Sequence, residues 1–260
     1  MHVWAIANQK GGVGKTTTVV SLAALLGEAG HRVLIVDMDP QGSLSSYFKL
    51  NPDTLEHSVY DLFMHQGTVP ESLPGQLLQE TGMPGVKLMP ATSALATLER
   101  NISQQGGMGL VLSRALTQLW DDFDYVLIDT PPLLGVLLVN AIAAAQTLIL
   151  PVQTEFMALK GLERMMHTLK MVAGSRHKPL QYLIVPTMFD RRTQASMRAL
   201  RALRQTYEDD LWVSAIPVDT RLRDASREGL GINQLDPDSR GCESYRALLK
   251  SVMQLQTAQA

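Results

Sequence analysis

Hydrophobic residues fall into short continuous runs that alternate with longer stretches of helical periodicity. Continuous apolar runs are typical of strands covered on both faces, and helical stretches between them are typical of the crossovers of a parallel sheet. The pattern therefore predicts an α/β fold with a doubly wound, mainly parallel sheet. The predicted strands are residues 3–7, 33–36, 86–89, 125–129, 147–151, 182–185 and 212–216.

The predicted helices alternate with these strands and follow the last one. They cover residues 16–26, 58–63, 94–101, 110–120, 136–144, 157–172, 194–207 and 243–255. We expect Gly27 and Gly30 to fray and then end the first helix, because glycine is a weak helix former and a frequent C-terminal cap. Residues 1–260 are predicted to form a single domain, with a polar tail over about 254–260.

Composition narrows the possible environments and partners of this chain. Its formal net charge is −2, so attraction to nucleic acid or to an anionic membrane would have to come from a local patch. Cys242 is the only cysteine, which excludes a disulfide framework and a cysteine-ligated cluster built by one chain. With an apolar strand directly after the first residues, we expect no signal peptide and a reducing, cytoplasmic setting.

A glycine-rich loop at residues 9–17 joins the first strand to the first helix. Its backbone amides and the helix N-terminus can direct several N–H donors at a triphosphate. The Lys15 ammonium would lie between the β- and γ-phosphates, and the Thr16 hydroxyl would bind Mg²⁺. The expected nucleotide-binding residues of the loop are Gly11, Gly12, Val13, Gly14, Lys15, Thr16 and Thr17.

Three carboxylates follow predicted strands and should meet the loop at one edge of the sheet. Asp37 and Asp39 lie two residues apart, so one can support the metal while the other orients the attacking water. Asp129 ends another apolar strand and is expected to hold a magnesium-bound water. The sequence thus predicts an ATP and Mg²⁺ site.

These motifs resemble those of the ParA/MinD family of partitioning ATPases. Residues 10–17, 36–42 and 128–132 are similar to its deviant Walker A, switch I and switch II motifs. The likeness is closer to ParA than to MinD and spans nearly the whole chain. Further matching segments are residues 134–135, 140–141, 151–155, 161–162, 187–193 and 216–225.

The resemblance implies a deviant P-loop ATPase that forms a homodimer in its ATP state. Lys10 would reach across the dimer to phosphates held by the other protomer and act in catalysis with Lys15 and Asp39, the residue that positions water. Asp37 and Asp129 would support Mg²⁺. Hydrolysis would be slow and would be accelerated by an activating partner or cargo adaptor protein. Residues implied as neighbours of the adenine are Met188, Pro217 and Asp219.

The resemblance also raises non-specific DNA binding, for which Arg191, Arg221 and Arg223 are the best-matched positions. Acidic residues lie between these arginines, so a mixed solvated surface is an equal alternative. A MinD-like membrane anchor is less expected, because residues 250–260 carry one cation and no large aromatic side chain.

Two further questions stay open from the sequence. The cargo is either a plasmid or chromosome partition complex or a polar chemotaxis array, which places the protein at the nucleoid or the cell pole. Residues 51–58, 189–196, 239–241 and 245–249 resemble the ParC group of ParA homologues that position such arrays. The alternative function is a synthetase that activates a small molecule with the same loop, although no additional His, Cys or acid constellation indicates a second substrate site.

Overall fold

The structure is a computed structural model that describes residues 1–101, 107–173 and 180–257. It contains a seven-stranded sheet in the order β3-β4-β2-β5-β1-β6-β7. The β3–β4 pair is antiparallel and the other pairs are parallel, which confirms the predicted doubly wound, mainly parallel sheet. The strands are β1 His2–Ile6, β2 Val33–Asp37, β3 Gln79–Glu80, β4 Val86–Met89, β5 Tyr125–Asp129, β6 Thr147–Gln153 and β7 Gln181–Thr187.

The helices cover both faces of this sheet. In the described residues they are α1 Lys15–Glu28, α2 Ser43–Tyr47, α3 Val59–Phe63, α4 Leu73–Gln76, α5 Leu95–Asn101, α6 Val111–Gln118, α7 Val136–Ala144, α8 Phe156–Ala173, α9 Gln194–Thr206, α10 Arg221–Glu228, α11 Ile232–Leu235 and α12 Arg240–Thr257, with a 3-10 turn at Met108–Leu110.

Strand β1 shows why the strand sequences read as continuous apolar runs. Trp4 and Ile6 belong to the core layer shared with α1 and α12, whereas Val3 and Ala5 belong to the layer shared with α6, α7 and α8. Alternate side chains of one strand therefore fill two separate cores. Within the described ranges, no helix is both long enough and apolar enough to span a lipid bilayer.

Two local predictions were wrong. Residues 212–216 form no strand: isolated bridges at Leu211 and Pro217 flank them, and Val213 turns outward with 82% of its surface exposed. Gly27 lies inside α1 and does not fray it, whereas Gly30, with a φ of 87°, follows the end of the helix at Glu28 as predicted. Helix α12 continues to Thr257, and so includes the first residues of the predicted polar tail; residues 258–260 lie outside the described part of the chain.

Candidate functional site

The loop between β1 and α1 forms an open cradle of backbone amides. Gly12 and Gly14 have φ values of 72° and 95°, a left-handed conformation that glycine adopts without strain. A side chain added at Gly11, Gly12 or Gly14 would meet no other heavy atom within 4 Å, and no side chain caps the N-terminus of α1. The free N–H groups and the helix dipole therefore favour an anion at this position.

Neighbouring elements hold this loop in place. The Thr187 hydroxyl, at the end of β7, donates to the carbonyl of Val13 at 2.9 Å. The side-chain amide of Gln9 donates to the hydroxyl of Thr168 on α8 at 3.1 Å. Since both contacts come from distant parts of the chain, the loop conformation is fixed by the tertiary fold and not by local sequence alone.

Thr16 and Asp129 come together at the first turn of α1. The Thr16 hydroxyl donates to Oδ2 of Asp129 at 2.5 Å. Oδ1 of Asp129 is buried and has no hydrogen-bond partner among the described residues. A hydroxyl beside an unpartnered carboxylate oxygen is a donor set suited to Mg²⁺, which binds one or two protein oxygens and keeps several waters. These residues therefore fit the predicted metal.

Asp37 lies opposite Asp129 in the register of β2 and β5 and is fully buried. Its Oδ2 accepts from the amide and the hydroxyl of Ser45, both at 2.8 Å, and its Oδ1 accepts from the amide of Asp39 at 3.1 Å. Burial raises the pKa of both Asp37 and Asp129, and the charge of Asp37 raises the pKa of Asp129 further. A bound divalent cation would reverse both effects.

Asp39 and Lys15 lie beside this pair with little exposed surface, 9% and 8% respectively. Oδ1 of Asp39 accepts from the amide of Gln41 at 3.0 Å. Burial raises the pKa of Asp39, while its hydrogen bond to Gln41 and the charge of Lys15 act in the opposite direction. The carboxylate is therefore held by its own turn, close to the lysine of the phosphate loop.

Lys10 is directed along the rim of the sheet towards β6 of its own chain. Its ammonium donates to Oε1 of Gln153 at 3.1 Å and forms an ion pair with Glu155. Its amide donates to Oδ1 of Asn8 at 2.9 Å, and the Asn8 side chain donates to the carbonyl of Pro151 at 2.7 Å. The lysine side chain is 36% exposed, so it stays accessible from outside.

A cavity of about 480 Å³ opens beside the phosphate loop. The three predicted neighbours of the adenine, Met188, Pro217 and Asp219, all line it together with Gly14 and Thr17 of the loop. The structure thus brings these positions together, although they are separated by more than 160 residues in the chain.

Asp219 also has a structural role at the mouth of this cavity. Its Oδ1 accepts from the amide of Arg221 at 3.0 Å and its Oδ2 accepts from the amide of Gly241 at 2.9 Å. The bond from Gly241 fixes the cavity loop to the first turn of α12. Met188 has a φ of 50°, which is uncommon for a side chain of this size.

The three arginines considered for DNA binding lie in different surroundings. Arg191 lines a second, polar cavity of about 450 Å³ with Arg192 and Arg240. Arg223 lines the cavity beside the phosphate loop. Arg221 forms ion pairs with carboxylates of α10 and of the segment before α12, Asp224 at 3.8 Å and Asp236 at 3.2 Å. Of the three, Arg191 is the one whose cavity is shared with further arginines, and the same cavity is lined by Asp190, which pairs with Arg192, and by Glu243.

Several residues of the site were not singled out from the sequence. Gln153 ends β6 and Glu155 follows it, so the rule that sites form at the carboxyl ends of parallel strands indicated their location but not their partners. Ser45 and Tyr245 gave no such signal. Their hydrogen bonds to Asp37 and to Thr18 span loops and helices that the local pattern does not connect.

Comparison with known proteins identifies the family. The family model described as an AAA domain matches residues 1–182. The sporulation initiation inhibitor protein Soj of Bacillus subtilis is 36% identical over 249 residues, which cover 95% of this chain and 96% of that protein. The chromosome partitioning protein ParA of Myxococcus xanthus is also 36% identical, over 98% of this chain and 89% of its own length. The chain belongs to the ParA family of P-loop ATPases.

Solved structures share the fold of this ParA-family chain. A cobyrinic acid a,c-diamide synthase from Mycobacterium smegmatis with bound ADP and magnesium is 34% identical, with a TM-score of 0.84 over 100% of this chain and 97% of that one. The septum site-determining protein MinD of Pyrococcus horikoshii, complexed with Mg-ADP, has a TM-score of 0.76 over 100% of this chain and 98% of that one. At 22% identity, MinD supports the fold alone.

Proposed function

We propose that this ParA-family chain is an ATP- and Mg²⁺-dependent dimerisation switch that positions or segregates an intracellular cargo. One observation carries the proposal: the Thr16–Asp129 pair lies against an open amide cradle, with the Lys10 ammonium on the same rim. The partitioning relatives and the Mg-ADP complex of the similar synthase support this interpretation.

Each residue at the loop has a defined task in this proposal. The loop amides and Lys15 hold the phosphates, and Thr16 and Asp129 hold Mg²⁺, which neutralises phosphate charge when it is bound. Asp37, opposite Asp129 in the strand register, supports the metal site, and it also positions Asp39 by accepting from its amide at 3.1 Å. Asp39 orients the water that attacks the γ-phosphate. Because Asp39 accepts from the amide of Gln41, it would be held in one orientation while it does so.

The homodimer of this proposal is supported by the accessible position of Lys10 on the rim. Its ammonium contacts Gln153 and Glu155 at the end of β6 rather than the phosphate loop of its own chain. A second copy facing this rim would bring its phosphates within reach of the lysine, and the added positive charge would stabilise the reacting phosphoryl group. Hydrolysis would then require two ATP-loaded chains, and a partner protein would accelerate it.

The switch is tested by light scattering and by phosphate release. Asp39→Ala should leave ATP binding intact and trap a dimer in ATP and Mg²⁺, whereas Lys15→Ala should bind ATP weakly and stay monomeric. Wild type with ADP is the monomeric control. If Asp39→Ala remained a monomer with saturating ATP, the roles given to Lys10 and Asp39 would be wrong.

For the cargo, the comparisons and the sequence favour different answers. The name of the Myxococcus xanthus relative, a chromosome partitioning protein, favours a chromosome partition complex. The likeness of residues 189–196 and 245–249 to ParC proteins favours a polar chemotaxis array. A tagged chain at native level would lie over the nucleoid in the first case and at the cell pole in the second.

Non-specific DNA binding in the ATP state is included in the proposal, with Arg191 as the first residue to test because it shares its cavity with two further arginines. Arg191→Ala should weaken ATP-dependent retention on random duplex DNA and flatten its salt dependence. Arg32→Ala is the matched control, because Arg32 is an exposed arginine that pairs with Asp124 and is not among the predicted DNA-binding positions. Equal retention for both variants would remove Arg191 from this role.

A MinD-like membrane role receives less support from the C-terminal helix. Tyr245, Leu248 and Val252 of α12 are buried in the core layer shared with α1. The apolar face of this helix is therefore already covered and is not free to enter a membrane interface. Sedimentation with anionic vesicles in ATP would contradict this conclusion if the protein pelleted with them.

A small-molecule synthetase is the second candidate, and the similarity to the diamide synthase favours it. The two functions differ in what limits the ATPase. A synthetase should hydrolyse ATP as a monomer once its small-molecule substrate is present, whereas the switch should need self-association. The order of the initial rate in protein concentration separates them, because a dimerisation-limited rate rises faster than linearly.

A further inference from the structure

Lys10 and its neighbour Asn8 contact β6 and the segment that follows β6 in their own chain at three points. The Asn8 side chain ties the backbone before Lys10 to Pro151, and the lysine ammonium contacts Gln153 and Glu155. Strands β1 and β6 are paired neighbours, so the residues beyond their ends face each other along the rim. The contact is therefore built into the register of the sheet.

Glu155 occupies a position where its own helix does not require a glutamate. It directly precedes α8, at the N-cap position. Side chains that cap a helix from this position are usually those of Ser, Thr, Asp or Asn. The ion partner of Glu155 is instead Lys10, 145 residues away. The next two residues, Phe156 and Met157, are 70% and 64% exposed. Large apolar side chains beside the ion pair are suited to being covered by a second copy of the chain.

We infer that Glu155 is a positioning residue that retains Lys10 in cis and thereby opposes ATP-dependent dimerisation. This inference rests on the proposed function, in which the same ammonium must reach the phosphates of the second copy. Lys10 cannot occupy both places, so each protomer must release its Glu155 contact before the dimer forms. The contact sets the concentration of ATP-loaded chains at which the switch operates.

The expected change in the dimer dissociation constant can be estimated from the solvent exposure of the Lys10–Glu155 ion pair. Lys10 and Glu155 side chains are 36% and 39% exposed, so solvent screens the pair strongly. Pairs of this kind shift an equilibrium by up to about fivefold. Two such contacts are released per dimer, and we expect their loss to tighten the dimer dissociation constant by about 2- to 25-fold.

The experiment compares Glu155→Gln with Glu163→Gln in ATP and Mg²⁺ by analytical ultracentrifugation. Glu163 is an exposed residue of α8, the helix that Glu155 precedes, so the control removes the same charge without touching Lys10. Glu155→Gln should dimerise more tightly than wild type, and Glu163→Gln should match wild type. The advantage of Glu155→Gln should shrink as KCl rises, because salt screens the wild-type ion pair; a merely structural role of Glu155 would not produce this trend.

The results separate this inference from the proposed function. Wild type that stays monomeric in ATP overturns both. Wild type that dimerises while Glu155→Gln is equal to or weaker than Glu163→Gln overturns the inference alone. A tightening that persists unchanged at high KCl also overturns it, since the retained contact is then not ionic. Binding of a fluorescent ATP analogue to dilute monomer should be the same for all three proteins.

Discussion

Replacing Gly27 by alanine should destabilise the protein, even though alanine is the better helix former. Gly27 lies in α1, where an added Cβ would be 2.2 Å from the carbonyl oxygen of Pro84 and 3.0 Å from Cγ2 of Val86. The first neighbour is backbone, which cannot rotate away. The helix and the segment entering β4 would have to separate by about 1 Å at a contact where Gly27 and Val86 are buried and Pro84 is exposed.

Two opposing effects set the magnitude. Alanine favours the helix by about 1 kcal/mol relative to glycine. Overpacking a core typically costs about 1–3 kcal/mol, and we expect the upper part of this range because the obstacle is a carbonyl group. The net loss is therefore about 2 kcal/mol, which lowers Tm by roughly 4–8 °C in a chain of this size.

Gly161 provides the matched control. It lies inside α8, and an added Cβ there would meet no heavy atom within 4 Å. Gly161→Ala should therefore raise Tm by roughly 2–4 °C through helix propensity alone. Differential scanning fluorimetry and urea unfolding of nucleotide-free protein measure both variants. Equal Tm values for Gly27→Ala and wild type would refute the packing reasoning, and a loss of stability in Gly161→Ala would refute the propensity estimate.

Three further predictions concern buried polar groups. Asp129→Asn should be more stable than wild type in the absence of nucleotide and metal, and its advantage should be larger at pH 8 than at pH 5. The reason is that the pKa of Asp129 is raised in the folded protein, so wild type loses stability as pH rises towards that pKa, whereas asparagine does not titrate. Ser45→Ala should cost about 2–3 kcal/mol in urea unfolding, because its hydroxyl serves both Asp37 and the amide of Ala91. Asn140→Asp should cost about 3 kcal/mol or more by the same assay, since its amide nitrogen donates to two carbonyls.

Each of these has a contradicting result. A stability difference between Asp129→Asn and wild type that stays constant from pH 5 to pH 8 would mean that Asp129 does not titrate abnormally. Wild-type urea midpoints for Ser45→Ala or Asn140→Asp would mean that water replaces the lost bonds, as it would at an exposed site.

Sequence patterns predicted the elements that carry the chemistry because those elements are the most regular. Strands β1, β2 and β5 are apolar on both faces. Asp37 and Asp129 are the last residues of β2 and β5, and the loop and Asp39 come shortly after β1 and β2. The carboxyl-end rule for parallel strands then places these residues together, as the structure does. This part of the site needs no long-range information beyond the order of the strands.

The missed features depend on packing between distant segments. Gly27 resembles a helix terminator in sequence. Only the close approach of Pro84 explains why glycine occurs inside the helix at this position. The predicted strand at residues 212–216 has apolar ends that reach the core, but the residues between them leave the line of the sheet. Helix α10 is too polar for an apolar stripe to reveal it, since Ala225 is its one buried residue.

The bonds from Thr187 to Val13 and from Gln9 to Thr168 have a kinetic consequence. The conformational entropy of the phosphate loop is already lost when the chain folds, so an arriving nucleotide meets a preformed anion site. Association should then be limited by diffusion and orientation, and complexes with different nucleotides should differ mainly in their dissociation rates. Nucleotides would therefore differ in how long they stay bound and not in how fast they associate.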